Sequence, residues 1–141
     1  MSKIIKIDGR CHCGEIKYEG ELDIGKVGIC HCHDCQTLSA SVFRTIAVIA
    51  GDVFKITKGN PKEYIKVAES GNKRVQAFCG TCGSGIYSAD AVDNPSAYAV
   101  RAGTIRQRAE LEPNFELWLE SALPWLPKIG CKNRFAKGFI K

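Results

Sequence analysis

Long apolar runs are missing from this sequence. No stretch approaches the roughly 18 consecutive apolar residues that a membrane-crossing helix needs, so no spanning segment is expected. The opening "MSKIIKIDGR" lacks the apolar core and small-residue cleavage site of a secretory signal, and a cytoplasmic location is expected. Internal repeats and low-complexity tracts are also lacking. Lysines are spread along the chain, with no basic stripe interleaved with aromatics, so a nucleic-acid partner is not expected. Helical patterning is scarce. Only "HDCQTLSA" and a short stretch near 104–111 offer a turn or two.

What is present reads as strands. "EIKYEGEL" sets Ile16, Tyr18 and Leu22 against Lys17 and Glu19, the two-residue period of a half-buried strand. Ile4 to Ile7, "SVFRTIAVI", "DVFKITKG", "EYIKVAES", "KRVQAFCG" and "SAYAVRAG" continue the theme. Fourteen glycines against five prolines suit a chain with many tight turns. A length of 141 residues fits one domain, 1–141, of mainly antiparallel β class with little helix. "EPNFELWLESALPWLPKIGCKNRF" breaks the pattern. The segment from about 113 to 141 is expected to cover the sheet with aromatic anchors, among them Trp118 and Trp125.

Eight cysteines need a chemical explanation. They fall in tight groups: Cys11 and Cys13; Cys30, Cys32 and Cys35; Cys79 and Cys82; and Cys131 alone. C-x-C and C-x-x-C pairs are too close for unstrained structural disulfides, and in a reducing compartment such groups read as metal ligands. Thiolate ligation also alters the charge balance. Seven thiolates and two divalent ions would bring the formal +5 down to about +2, which weakens any argument from basicity.

"FCGTCGSG" and "RCHCG" each place glycine after a cysteine pair, where a turn can aim both sulfurs at one ion. In the first, Gly80, Gly83 and Gly85 all offer positive φ. In the second, an extended backbone would send Cys11 and Cys13 to one side and His12 to the other. Cys11, Cys13, Cys79 and Cys82 are therefore assigned to a closed structural site. "CHCHDC" supplies Cys30, Cys32 and Cys35 for a second ion, one ligand short. His33, Cys131, water or a substrate thiol are the candidates for the fourth position. Structural zinc sites are closed and catalytic ones keep a position open. His12, His31 and His33 read as exposed spacers. Cys131 lies between Lys128 and Lys132, where neighbouring cations favour the thiolate, but reads as an incidental, partly buried residue.

The order C-x-C-G, C-x-C-x-x-C, F-C-x-x-C-G resembles the glutathione-dependent formaldehyde-activating enzyme family, which includes the centromere protein V group. The likeness runs from Gly9 to about Trp125 and takes in "LSASVFRTIAV", "FKITKG", "FCGTCGSGIY", "AGT" and a late "P…W". It implies an Mss4-like, β-tent type fold and two zinc ions: a structural one on Cys11, Cys13, Cys79 and Cys82, and a catalytic one on Cys30, Cys32 and Cys35. It also implies a carbon–sulfur lyase resembling S-(hydroxymethyl)glutathione synthase, acting on glutathione or another small thiol and an aldehyde. The alternative is a non-catalytic double-zinc module that binds a protein or nucleic acid. Two positions depart from the family pattern. Ser39-Ala40 stands where relatives often have Ser-Gly, and Glu116 where many carry histidine. Arg44, Arg101 and Arg106 are candidates to meet the carboxylates of glutathione, although each reads more readily as solvated.

Overall fold

The computed structural model describes residues 3–139. The outer ends of the expected 1–141 span, including the last two residues of the 113–141 segment, lie outside them. The strands fall into two sheets. The smaller is antiparallel and ordered β1 (Ile4–Arg10), β2 (Lys17–Asp23), β5 (Phe54–Lys58). In β2 the alternation holds to the residue: Tyr18 and Leu22 are buried, while Lys17, Glu19 and Glu21 face solvent.

The larger sheet has eight strands. From one edge they run β11 (Asn133–Arg134), β10 (Phe115–Leu117), β3 (Val27–Cys30), β4 (Arg44–Ala50), β9 (Ala97–Arg101), β8 (Gly85–Asp90), β7 (Lys73–Phe78) and β6 (Lys62–Val67). One short helix, α1 (His33–Ser39), links β3 to β4. It occupies "HDCQTLSA", as the sequence indicates.

Pairing is antiparallel except at one edge, where β10 runs parallel to both β3 and β11. The chain reaches β10 from β9, which runs in the same direction with β3 and β4 between them, and such a connection needs a crossover of a dozen or so residues. Residues 102–114 provide it as two 3-10 turns, Ala102–Thr104 and Arg108–Glu110, where a helix would be usual. Gly28 makes the close approach possible, because the Phe115 ring occupies the space a Cβ there would need. Beyond β10 the chain folds back along itself. Amides of Trp118, Leu119 and Glu120 donate to the carbonyls of Lys137, Phe135 and Ala136. Trp118 packs on the core from this segment, whereas Trp125 is exposed.

Apolar burial divides in two, and each cysteine group sits in one part. Cys11 and Cys79 belong to the main core with Ile7, Tyr18, Leu22, Ile49, Ile86 and Val100. Cys30 and Cys35 belong to a smaller cluster with Phe115 and Leu117, under the parallel edge. Each group is thus anchored in packed interior by two buried cysteines, while Cys13 and Cys82 are exposed and Cys32 is half-buried.

Candidate metal centres

The first group joins two knuckles of similar design. After Cys11, Gly14 takes φ +81° and its amide donates to the Cys11 carbonyl at 3.2 Å. After Cys79, Gly83 takes φ +81° and its amide donates to the Cys79 carbonyl at 2.8 Å. Of the glycines in "FCGTCGSG", only Gly83 uses positive φ; Gly80 and Gly85 do not. Residues 11–15 form a turn, not the extended segment that the C-x-C spacing suggests, because the knuckle bends the chain to bring backbone N–H groups onto sulfur. Ile16 N–H donates to Cys11 Sγ at 3.2 Å, and Thr81 N–H to Cys79 Sγ at 3.4 Å. The Ser84 hydroxyl accepts from His12 N–H at 3.1 Å and ties the knuckles together. That hydroxyl, then the Ser84 and Cys13 amides, hold the Cys82 thiol down at about 5.

Cys11, Cys13, Cys79 and Cys82 bring all four sulfurs within 4.8 Å of one another. Cys11 lies 3.6 Å from Cys13, and Cys13 lies 3.7 Å from Cys79. Two thiolates on one tetrahedral zinc, with bonds of about 2.3 Å, stand about 3.8 Å apart. The donor set and its spacing fit such an ion.

The second group gathers where β3 ends and α1 begins. Cys30 closes β3, Cys32 caps the helix by accepting from Cys35 N–H at 3.3 Å, and Cys35 lies in the first turn. Their three sulfurs also lie within 4.8 Å of one another. Among the described residues, neither His33 nor Cys131 brings a donor into the group. Hydrogen bonds from Cys30 and Cys32, followed by the Arg44 charge, pull the Cys35 thiol down to about 2; donating to its two neighbours pushes Cys30 up. A divalent ion held here would ionise all three thiols.

Three expectations change here. Arg44 is 6% exposed, not solvated; it donates from Nη2 to Cys35 Sγ at 3.1 Å and from Nη1 to Gln76 Oε1 at 3.0 Å. Arg101 donates to the same Gln76 oxygen at 2.9 Å, whereas Arg106 stands apart in an exposed ion pair with Asp8. His31 is 1% exposed, because β10 covers the end of β3. Its Nε2 lies 2.9 Å from Glu116 Oε2, and Glu116 Oε1 accepts from Cys131 N–H at 3.2 Å. His12 and His33 are exposed, as their spacer reading anticipates. Cys131 is buried, and burial followed by the Glu116 charge pushes its thiol up, opposite to the effect expected from nearby lysines. Gln76 was not singled out in the sequence. Its one signal is a polar side chain inside the apolar run "VQAF".

A mainly β protein with two cysteine groups spaced to hold metal ions is thus defined by its own geometry. Residues 6–121 match the profile of the glutathione-dependent formaldehyde-activating enzyme family, and the chain belongs to that family. No curated protein matches it. A crystal structure of a Rhodobacter sphaeroides protein superposes with a TM-score of 0.55 at 18% identity, covering 91% of this chain and 98% of that one. At that identity the likeness speaks for the fold.

Proposed function

We propose that the chain acts as a single 1–141 domain, a zinc-dependent carbon–sulfur lyase that interconverts a small thiol plus an aldehyde and their hemithioacetal adduct. Glutathione and formaldehyde are the pair that the family's name supplies. The observation that carries the reading is the count of three at Cys30, Cys32 and Cys35, beside a complete set of four elsewhere. A zinc held by three thiolates would supply, at its remaining position, a site where an added thiol loses its proton near neutral pH.

The protein's own groups frame that position. Cys32 fixes the start of α1 and so locks the bite of the three sulfurs. Arg44 offsets negative charge on Cys35 without donating a proton, since a guanidinium does not ionise. In the forward direction the substrate sulfur bonds to the aldehyde carbon, and the thiol proton ends on the former carbonyl oxygen. No oxidant is needed. Such a reaction gains mainly from holding two reactants together and from a prepared thiolate.

The test is the exchange rate between formaldehyde, glutathione and their adduct, followed by magnetisation-transfer NMR. Zinc-loaded wild type should accelerate exchange in proportion to its concentration, and Cys30→Ser should abolish that acceleration. An uncatalysed rate with fully loaded wild type would contradict the reading.

A further inference from the structure

Arg44 and Arg101 stand on β4 and β9, and Gln76 stands on β7. The register of the large sheet brings all three to one place. Both guanidiniums donate to the single oxygen Gln76 Oε1, at 3.0 and 2.9 Å. Neither pairs with a carboxylate among the described residues, whereas nearby Arg74 has Asp90. Arg101 donates further to the Ala99 carbonyl at 3.0 Å and the Ser88 hydroxyl at 3.4 Å, so all of its acceptors are neutral; a guanidinium drawn out of water with no opposite charge beside it is a costly arrangement. Burial, and then the Arg44 charge, push the Arg101 guanidinium down to about 9. A guanidinium keeps its proton at neutral pH, so Arg101 stays a cation among neutral acceptors, an environment that calls for an anion.

Part of the demand is met by Cys35. Three thiolates and a divalent ion carry about one net negative charge, which Arg44 offsets through its bond to Cys35. Arg101 is left over. Both arginines line a cleft of about 460 Å³, with Leu38, Phe43, Ser84 and Gly85 among its other walls. The cleft therefore presents cationic donors one side chain away from the three-cysteine group.

We propose that Arg44 and Arg101, bridged by Gln76, form an oxyanion subsite that takes a carboxylate of the thiol substrate. The inference rests on the thiol-handling reading above and narrows it to acidic thiols. A guanidinium pair would accept a phosphate as readily, but a molecule spanning this cleft and the three-cysteine centre carries a thiol and a carboxylate together.

Calorimetric titration of the zinc-loaded protein with glutathione and with its diester tests this. Wild type should prefer glutathione by roughly 10- to 100-fold. Arg101→Gln should erase that preference by weakening glutathione alone. Gln76→Glu places a permanent carboxylate between the guanidiniums; it should also erase the preference while leaving the melting temperature equal or higher, which guards against simple misfolding. Retained preference in both variants overturns the subsite. Equal wild-type binding of glutathione and diester overturns the subsite and leaves the thiol reading standing; binding of neither overturns both. Displacement of glutathione by equimolar inorganic phosphate overturns the assignment to an acidic thiol.

Discussion

Arg44 donates to the Cys35 sulfur at 3.1 Å, from a strand to the first turn of the only α-helix among the described residues. That bond joins the candidate reaction centre to the sheet. It makes the three-cysteine group differ from the four-cysteine group in charge as well as in ligand number, since the knuckles receive neutral N–H and hydroxyl donors.

The two groups should therefore fail differently. Cys79→Ser removes a ligand from the main core. Closed zinc sites are worth roughly 10–16 kcal/mol of apparent folding free energy, so this variant should lose its cooperative thermal transition. Cys32→Ser should keep a cooperative transition and lose one metal equivalent of two. Circular dichroism with metal analysis on the same samples separates these outcomes.

Glu116 gives a pH signature. Burial raises its pKa, but the His31 hydrogen bond and the Cys131 amide outweigh it and hold the carboxyl below its usual 4.5. A depressed folded-state value means stability that is present above about pH 4.5 and lost as pH falls through the folded value. Glu116→Gln should cost about 1–3 kcal/mol at pH 7. The gap to wild type should close below pH 4.5 in urea melts. A constant gap would contradict the pairing.

Ala40 caps α1 in the left-handed region at φ 52°, a backbone conformation that favours glycine. An L side chain pays a steric penalty there that glycine avoids. Ala40→Gly should stabilise the fold by about 0.5–1 kcal/mol in the same melts, despite the greater entropy glycine loses. Unchanged or lower stability would count against the cap geometry.

Cys131 should be dispensable for chemistry. Its thiol is buried and pushed up, which disfavours the reactive thiolate. Cys131→Ser should keep both metal equivalents and the full exchange rate. Loss of activity with metals intact would show that the Cys131 thiol takes part in the chemistry.

Much of the fold was legible because it is local. Alternation in "EIKYEGEL" gives β2 directly, and cysteine spacing within each knuckle decides which sulfurs converge. β3 was missed because all four of its residues are buried, which leaves no alternation to read. β10 and β11 were missed because they are two or three residues long and pair in parallel with a distant strand. The same limit hid His31 with Glu116 and Arg44 with Gln76 and Arg101. Their partners lie on separate strands, and only sheet register brings them together.

The most direct measurement is zinc X-ray absorption on the fully loaded protein, with and without glutathione. Two zinc ions sharing seven protein sulfurs should gain an eighth when the thiol is added, at a distance of about 2.3 Å. A sulfur count that does not change at saturating glutathione would contradict an exchangeable position at Cys30, Cys32 and Cys35.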